Sequence, residues 1–178
     1  VVTKGNIRIK NAGIKYLDMI RLVFRRLGVD FDFIGDDVLV SPNQRMVIEP
    51  DFGNVIPEIS VMPWPAFPTD LMSIAIVVAT QSNGSILFHD WMYPSRMFFT
   101  DKLVSMGAQI VLCDPHRCIV QGPTRLNPEK LESPDIRAGM ALVLAALSAH
   151  GESVISNIGQ IDRGYERIEK KLQSLGAD

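Results

Sequence analysis

Three segments of the sequence end alike, in RRLGVD, SMGAQ and SLGAD, with the shared glycine at Gly28, Gly107 and Gly176. These endings recur at about 70 to 80 residues, a spacing that indicates a repeated structural unit. Before the first glycine, apolar residues from Tyr16 to Leu27 follow one another at steps of three or four. This periodicity predicts a helix, and glycine suits the left-handed position just after a helix end. The chain is therefore predicted to repeat one helix-ending unit.

The remaining patterns predict the other elements of the unit. Two strongly apolar stretches predict buried helices: DLMSIAIVVATQS over 70–82 and DIRAGMALVLAALSA over 135–149. Each is followed by a strand-like stretch, SILFH after the first and SVISNI after the second. FDFIG with DVLVSP, and QIVLCD with RCIVQGP, are typical of β-hairpins. The predicted unit is βαβαββ, and the predicted fold class is α+β.

The units divide the chain at approximately 1–50, 51–122 and 123–178. On this division the chain begins and ends inside a unit, and its first residue is Val rather than Met. Stacked units need their neighbours to cover their apolar faces. We therefore expect that a partner segment completes the structure.

Charge and apolar run length exclude several classes of function. The net charge is −2, which argues against a nucleic-acid groove that works through bulk positive charge. No apolar run is long enough to span a bilayer, and the opening VVTKGNIRIK has no apolar core of the length that a signal segment needs. Cys113 and Cys118 flank Asp114–Arg117. A hairpin turn is favoured there over a zinc site, because zinc sites prefer closer cysteine pairs and four ligands.

Ionisable residues stand near the start of both apolar helices. Asp70 and Arg137 precede Gly84 and Gly151 by the same number of residues. Asp70 and Asp135 each have an ordinary interpretation as a cap or first-turn acid. A cation is disfavoured at a helix N-terminus, so Arg137 indicates an anionic ligand or a carboxylate partner.

The other helices are predicted to begin beside cations, namely Lys15, Arg96 and Arg163. Repeated units could bring these starts to one end of the domain and so form an anion site. The alternative is a set of surface salt bridges, each of which contributes little to stability. The residues alone leave both interpretations open.

Three strings carry a family resemblance: PWPAFPTDL at 63–71, SPDIRAGMALVLA at 133–145 and IDRGYERIEKKLQSLGAD at 161–178. Together they resemble the enolpyruvyl transferases. Within that family DRGYERIE is similar to the UDP-N-acetylglucosamine group, and it argues against the 3-phosphoshikimate group.

The resemblance implies a protein of two lobes, each an inside-out barrel of three βαβαββ units with helices buried and sheets outside. It implies a cytoplasmic enzyme of peptidoglycan synthesis that needs no metal or organic cofactor. Enolpyruvyl would pass from phosphoenolpyruvate to the 3′-hydroxyl of UDP-N-acetylglucosamine, with release of phosphate. The expected partners are these two substrates and the other lobe.

The resemblance also assigns roles to residues. Asp70 would accept the proton of the sugar hydroxyl as it adds to C2 of phosphoenolpyruvate, and Arg163 would act beside it. Arginine forks suit the carboxylate and phosphate of that substrate. The substrate-binding roles fall on Arg137, Asp135, Arg96, Met92 and Thr69.

The sequence departs from the family pattern at Ala66, Met72 and Pro94–Ser95. These departures leave open an enolpyruvyl transferase with another acceptor, or a non-catalytic module that binds a nucleotide sugar. In the family the other lobe supplies a Lys-Asn pair, a mobile loop with a proton-donating Cys or Asp, and further arginines, and none of these is recognised here. The chain is thus expected to carry half an active site and to be inactive alone.

Overall fold

The structure, a computed structural model, describes residues 1–177. Its strands are β1 (Ile7–Ile9), β2 (Asp32–Ile34), β3 (Asp37–Val40), β4 (Glu58–Ser60), β5 (Gly84–His89), β6 (Gln109–Asp114), β7 (Arg117–Gly122), β8 (Lys130–Glu132) and β9 (Val154–Ser156). Its α-helices are α1 (Asp18–Arg26), α2 (Met72–Gln81), α3 (Thr100–Ser105), α4 (Ile136–Ser148), α5 (Gly159–Asp162) and α6 (Ile168–Ser174). Short 3₁₀ turns cover Ile14–Tyr16, Thr69–Leu71 and Pro94–Met97. The mixed content agrees with the predicted α+β class.

The strands form three sheets. The central sheet has the order β4-β5-β7-β6, in which β4 and β5 are parallel and the other pairs are antiparallel. The first sheet, β1-β3-β2, has the same strand order as the β5-β7-β6 part of the central sheet, and β8 and β9 form a parallel pair like β4 and β5. Both predicted hairpins, β2-β3 and β6-β7, are present. From β4 to β7 the chain runs strand, helix, strand, helix, strand, strand.

Helices α2 and α4 form the centre of the structure and pack against each other. Eight of the ten residues of α2 are buried, Ser73 and Thr80 among them, and the helix has no charged side chain. It also packs on β5 and β7. A helix that is apolar on all sides is stable only when other elements cover it. The prediction of burial is confirmed for α2, whereas α4 is fully buried only over Ala138–Leu142 and at Ala145 and is half-buried elsewhere. Because they lie side by side, their starts lie close to one another: the Ser73 hydroxyl donates to the Arg137 carbonyl at 3.2 Å.

Helix α1 ends as its sequence predicts. Gly28 has φ +76°, and a Cβ there would lie 2.2 Å from the backbone nitrogen of Val47, so only glycine fits. Just beyond it, Asp30 accepts hydrogen bonds from Arg21 and Arg25, each at 2.8 Å. Burial alone would raise the pKa of Asp30, but the two guanidinium groups hold it well below its ordinary value.

The last helix differs from its prediction. The alternating charges of GYERIEKKLQSLG predict one solvent-exposed helix over 164–176, whereas α6 begins only at Ile168. Arg167 has φ +51°, a left-handed conformation that separates α6 from α5. Within residues 1–177, no helix is both long enough and apolar enough to cross a membrane.

Candidate active site

Asp70 lies in the 3₁₀ turn that leads into α2. Pro68 enters this turn in an extended conformation, and the Leu71 N–H closes it on the Pro68 carbonyl. The proline thus fixes the direction from which the chain reaches Asp70. The Asp70 side chain is 58% exposed, so a ligand in solvent can reach its carboxylate.

Two arginines from other elements converge on this carboxylate. Arg137, in the first turn of α4, donates from Nε to Oδ1 of Asp70. Arg96, in the turn Pro94–Met97, places Nη1 4.0 Å from the same oxygen. As far as residue 177, the structure assigns the other carboxylate oxygen, Oδ2, no hydrogen-bond partner. Asp70, Arg96 and Arg137 therefore lie together, as predicted site residues. The arginines contact Oδ1 of Asp70, and Oδ2 remains available to a ligand.

Asp135 holds the start of α4. It is the N-cap residue, and its Oδ1 accepts the backbone N–H groups of Arg137 at 2.7 Å and Ala138 at 2.9 Å. This confirms its interpretation as a cap. Asp135 therefore fixes the backbone from which Arg137 reaches Asp70.

Arg96 is the least exposed of the converging cations, with a side chain that is 13% exposed. Its guanidinium lies 4.8 Å from the centre of the Tyr93 ring, a cation–π contact. Its Nη1 is buried and has no hydrogen-bond acceptor among the residues described. A cavity of about 330 Å³ adjoins it, and Lys102 and Asp135 are among its lining residues. A buried guanidinium N–H without an acceptor is costly, so this place favours an anionic ligand.

Thr69 and Met92 are joined by a residue that the sequence analysis missed. Asp90, which is fully buried, follows β5. Its Oδ2 accepts the Thr69 hydroxyl, and its Oδ1 accepts the backbone N–H groups of Met92 at 3.1 Å and Tyr93 at 3.2 Å. The available signal was an Asp at a strand end ahead of a turn, where it readily binds backbone N–H groups.

The structure does not bring Arg163 to Asp70. Arg163 follows α5 and is exposed, and in the described part of the chain its side chain donates only to Gln160, at 3.1 Å. The adjoining Gly164 nevertheless lies against α4, where a Cβ would be 2.7 Å from Cγ2 of Ile136. Arg163 is therefore tied to the same end of α4 as Arg137 without touching the acid.

The two cysteines lie on either side of a hairpin turn, at the end of β6 and the start of β7. Cys113 is exposed and Cys118 is buried, and burial raises the pKa of the Cys118 thiol to about 12. In the part of the chain that the structure describes, no group of three His, Cys, Asp or Glu side chains could hold a metal ion. The turn interpretation of this segment is confirmed.

Comparison with known proteins decides the family. The profile of the EPSP synthase (3-phosphoshikimate 1-carboxyvinyltransferase) family matches residues 1–172. The chain belongs to the EPSP synthase family. The resemblance to enolpyruvyl transferases that the three strings predict is thereby confirmed.

Relatives within the EPSP synthase family carry a more specific name. The chain is 56% identical over 176 residues to the UDP-N-acetylglucosamine 1-carboxyvinyltransferase of Bradyrhizobium diazoefficiens. It is 51% identical over 176 residues to the protein of the same name from Borrelia garinii subsp. bavariensis. Each alignment covers 99% of this chain but 41% of the relative. The chain thus spans about two fifths of the length of these relatives.

A solved structure supports the fold. The enolpyruvyl transferase NikO from Streptomyces tendae superposes with a TM-score of 0.85 at 24% identity. The superposition covers 99% of this chain and 41% of the other. At this identity the likeness establishes the fold of this EPSP synthase family member and nothing finer.

Proposed function

We propose that the chain is part of an enolpyruvyl transferase that moves enolpyruvyl from phosphoenolpyruvate to the 3′-hydroxyl of UDP-N-acetylglucosamine and releases phosphate. The observation that carries the proposal is the convergence of Arg137 and Arg96 on the carboxylate of Asp70. The identity to proteins named UDP-N-acetylglucosamine 1-carboxyvinyltransferase supports the choice of acceptor. The proposal concerns the whole protein, in which this chain supplies half of the active site.

In this mechanism Asp70 is the general base. Arg137 holds Oδ1 and so orients the carboxylate, while Oδ2 faces the acceptor hydroxyl and takes its proton as the sugar oxygen bonds to C2 of phosphoenolpyruvate. The C2=C3 electrons take up a proton at C3 from the donor of the second lobe. Loss of a C3 proton and cleavage of the C2–O bond to phosphate then restore the double bond and release phosphate. A base must stand within hydrogen-bond distance of the proton that it removes. The exposure of Asp70 allows such an approach.

The arginines stabilise the anionic substrate. Phosphoenolpyruvate carries a carboxylate and a phosphate, and arginine binds both groups through paired N–H donors. Arg96 offers its buried Nη1, which has no hydrogen-bond acceptor among residues 1–177. Arg137 faces the same Asp70 oxygen as Arg96. We also assign Arg163, which follows α5, to phosphoenolpyruvate. It contacts this substrate if the bound molecule extends towards α5.

The architecture extends the proposal to the whole lobe. Residues 1–50, 51–122 and 123–178 are units of one plan, arranged as an inside-out barrel with helices buried and sheets outside. The burial of α2 and α4 and the shared strand order of the first two sheets support this arrangement. A second lobe supplies the proton donor and further arginines, and the reaction serves peptidoglycan synthesis in the cytoplasm.

The test is phosphate release by the whole protein with phosphoenolpyruvate and UDP-N-acetylglucosamine. We expect release only when both substrates are present, and a loss of kcat of at least about 10²-fold in Asp70→Asn. Asp101→Asn is the matched control, because Asp101 is also an exposed acid in a first helical turn. Acceptor binding without release would instead indicate a non-catalytic nucleotide-sugar module, and equal rates in the two variants would refute the role of Asp70.

A further inference from the structure

We infer that Asp90 is a positioning residue that holds Asp70 and Arg96 in their mutual arrangement. The inference rests on the proposed function, because it concerns how that site is assembled. Asp70 and Arg96 come from two separate segments, the turn before α2 and the turn after β5. The Asp90 carboxylate binds both segments at once.

Each oxygen of Asp90 serves one segment. Oδ2 accepts the hydroxyl of Thr69, the residue next to Asp70. Oδ1 accepts the N–H groups of Met92 and Tyr93, and the Tyr93 carbonyl in turn accepts the Arg96 N–H at 3.1 Å. The Asp90 carboxylate therefore links Asp70, through Thr69, to Arg96, through Tyr93.

Asp90 is itself held firmly. Its backbone N–H donates to the His116 carbonyl at 2.8 Å, and its carbonyl accepts a hydrogen bond from Nδ1 of His116 at 2.7 Å. The carboxylate is fully buried, and among residues 1–177 no cation pairs with it. A buried carboxylate is costly unless hydrogen bonds satisfy it, and here only the two site segments supply them. All hydrogen bonds that the structure records for the Asp90 carboxylate within residues 1–177 thus come from the two segments that hold Asp70 and Arg96.

This geometry also adds to the role of Thr69. A threonine hydroxyl has a single proton to donate, and in this structure that proton goes to Asp90. Thr69 therefore acts on Asp90 through its hydroxyl proton, and its hydroxyl lone pairs and backbone remain for the substrate-binding role that the resemblance implies.

The experiment compares Thr69→Val, Asp90→Ala and their double variant in the whole protein. Thr80→Val is the matched control, because the Thr80 hydroxyl is also buried and donates to the Val77 carbonyl at 2.7 Å, at the other end of α2. Asp90→Asn is the conservative variant: its amide oxygen can accept the two N–H groups, and its NH₂ can donate to the Thr69 hydroxyl.

We expect kcat to fall about 10- to 100-fold in Thr69→Val and Asp90→Ala, because small displacements of reacting groups are costly. KM for the acceptor should change much less, and Asp90→Asn should recover most of the activity. The double variant should be no worse than Asp90→Ala, since both changes break one connection. Equal kcat in Thr69→Val and Thr80→Val, or additive losses in the double variant, would overturn the inference.

Failure of the proposed function is a separate result. If the whole wild-type protein releases no phosphate, the assignment of the reaction fails, and amide hydrogen exchange then tests the positioning role. Thr69→Val should speed exchange at Met92 and Tyr93, whereas Thr80→Val should not. Unchanged exchange at these two amides would overturn the inference. If Asp90→Ala does not fold, Thr69→Val and Asp90→Asn carry the same test.

Discussion

Replacing Gly139 by Ala should affect the stability of helix α4 in two opposite ways, through helix propensity and through packing. Alanine is the better helix former, by about 1 kcal/mol in a helix interior. The structure places an obstacle, however: a Cβ on Gly139 would lie 2.2 Å from Oγ of Ser133 and 2.6 Å from Cγ1 of Ile161. The missing side chain is what lets α5 approach α4.

The contacts decide which effect is larger. Ser133 and Ile161 are both almost completely buried, so neither can turn away into solvent. Overpacking a buried position costs about 1 to 3 kcal/mol, and two contacts of this length place Gly139→Ala at the upper end. After the gain in helix propensity is subtracted, we expect a net loss of about 1 to 2 kcal/mol.

Amide hydrogen exchange in the whole protein measures this loss as the free energy of local opening of α4. Ala146→Gly is the control, because Ala146 lies on the same helix in a half-buried position, and its loss should be about 1 kcal/mol from propensity alone. A Gly139→Ala protein with slower exchange in α4 than the wild type would show that propensity wins and would refute the packing argument. Because Arg163 directly follows α5, the kcat/KM of Gly139→Ala should fall as well.

Three further predictions concern local interactions. Asp135→Ala removes the cap of α4 and should cost about 1 kcal/mol in thermal unfolding, whereas Asp135→Ser should keep most of it. The pKa of Asp30 is lowered in the folded state, so its stabilisation is fully present above about pH 4, the unfolded value, and declines as the pH falls from there towards the folded pKa. Asp30→Asn should therefore lower the melting temperature at pH 7, and its difference from the wild type should shrink steadily as the pH is lowered below about 4. Native alkylation followed by peptide mapping should label Cys113 and spare Cys118, whose thiol has a raised pKa, and label at Cys118 would contradict its burial.

Much of the fold could be predicted because its signals are local. Apolar periodicity placed α1, α2 and α4 within a few residues of their observed bounds, and the two hairpins follow from short strands around turn residues. The last helix was predicted too long, since nothing in its charge pattern reveals the left-handed conformation of Arg167. Periodicity reports which face of a helix is apolar, but it does not report where a backbone reverses.

The site divides in the same way. The sequence by itself determined that Asp70 and Arg137 stand at helix starts, because helix starts have recognisable residue types and spacings. Only the tertiary structure decided that they meet, since their contact depends on how α2 packs against α4 across 67 residues of chain. The sequence does place Asp90 at a strand end ahead of a turn, but only tertiary packing removes its carboxylate from water and brings the Thr69 hydroxyl to it.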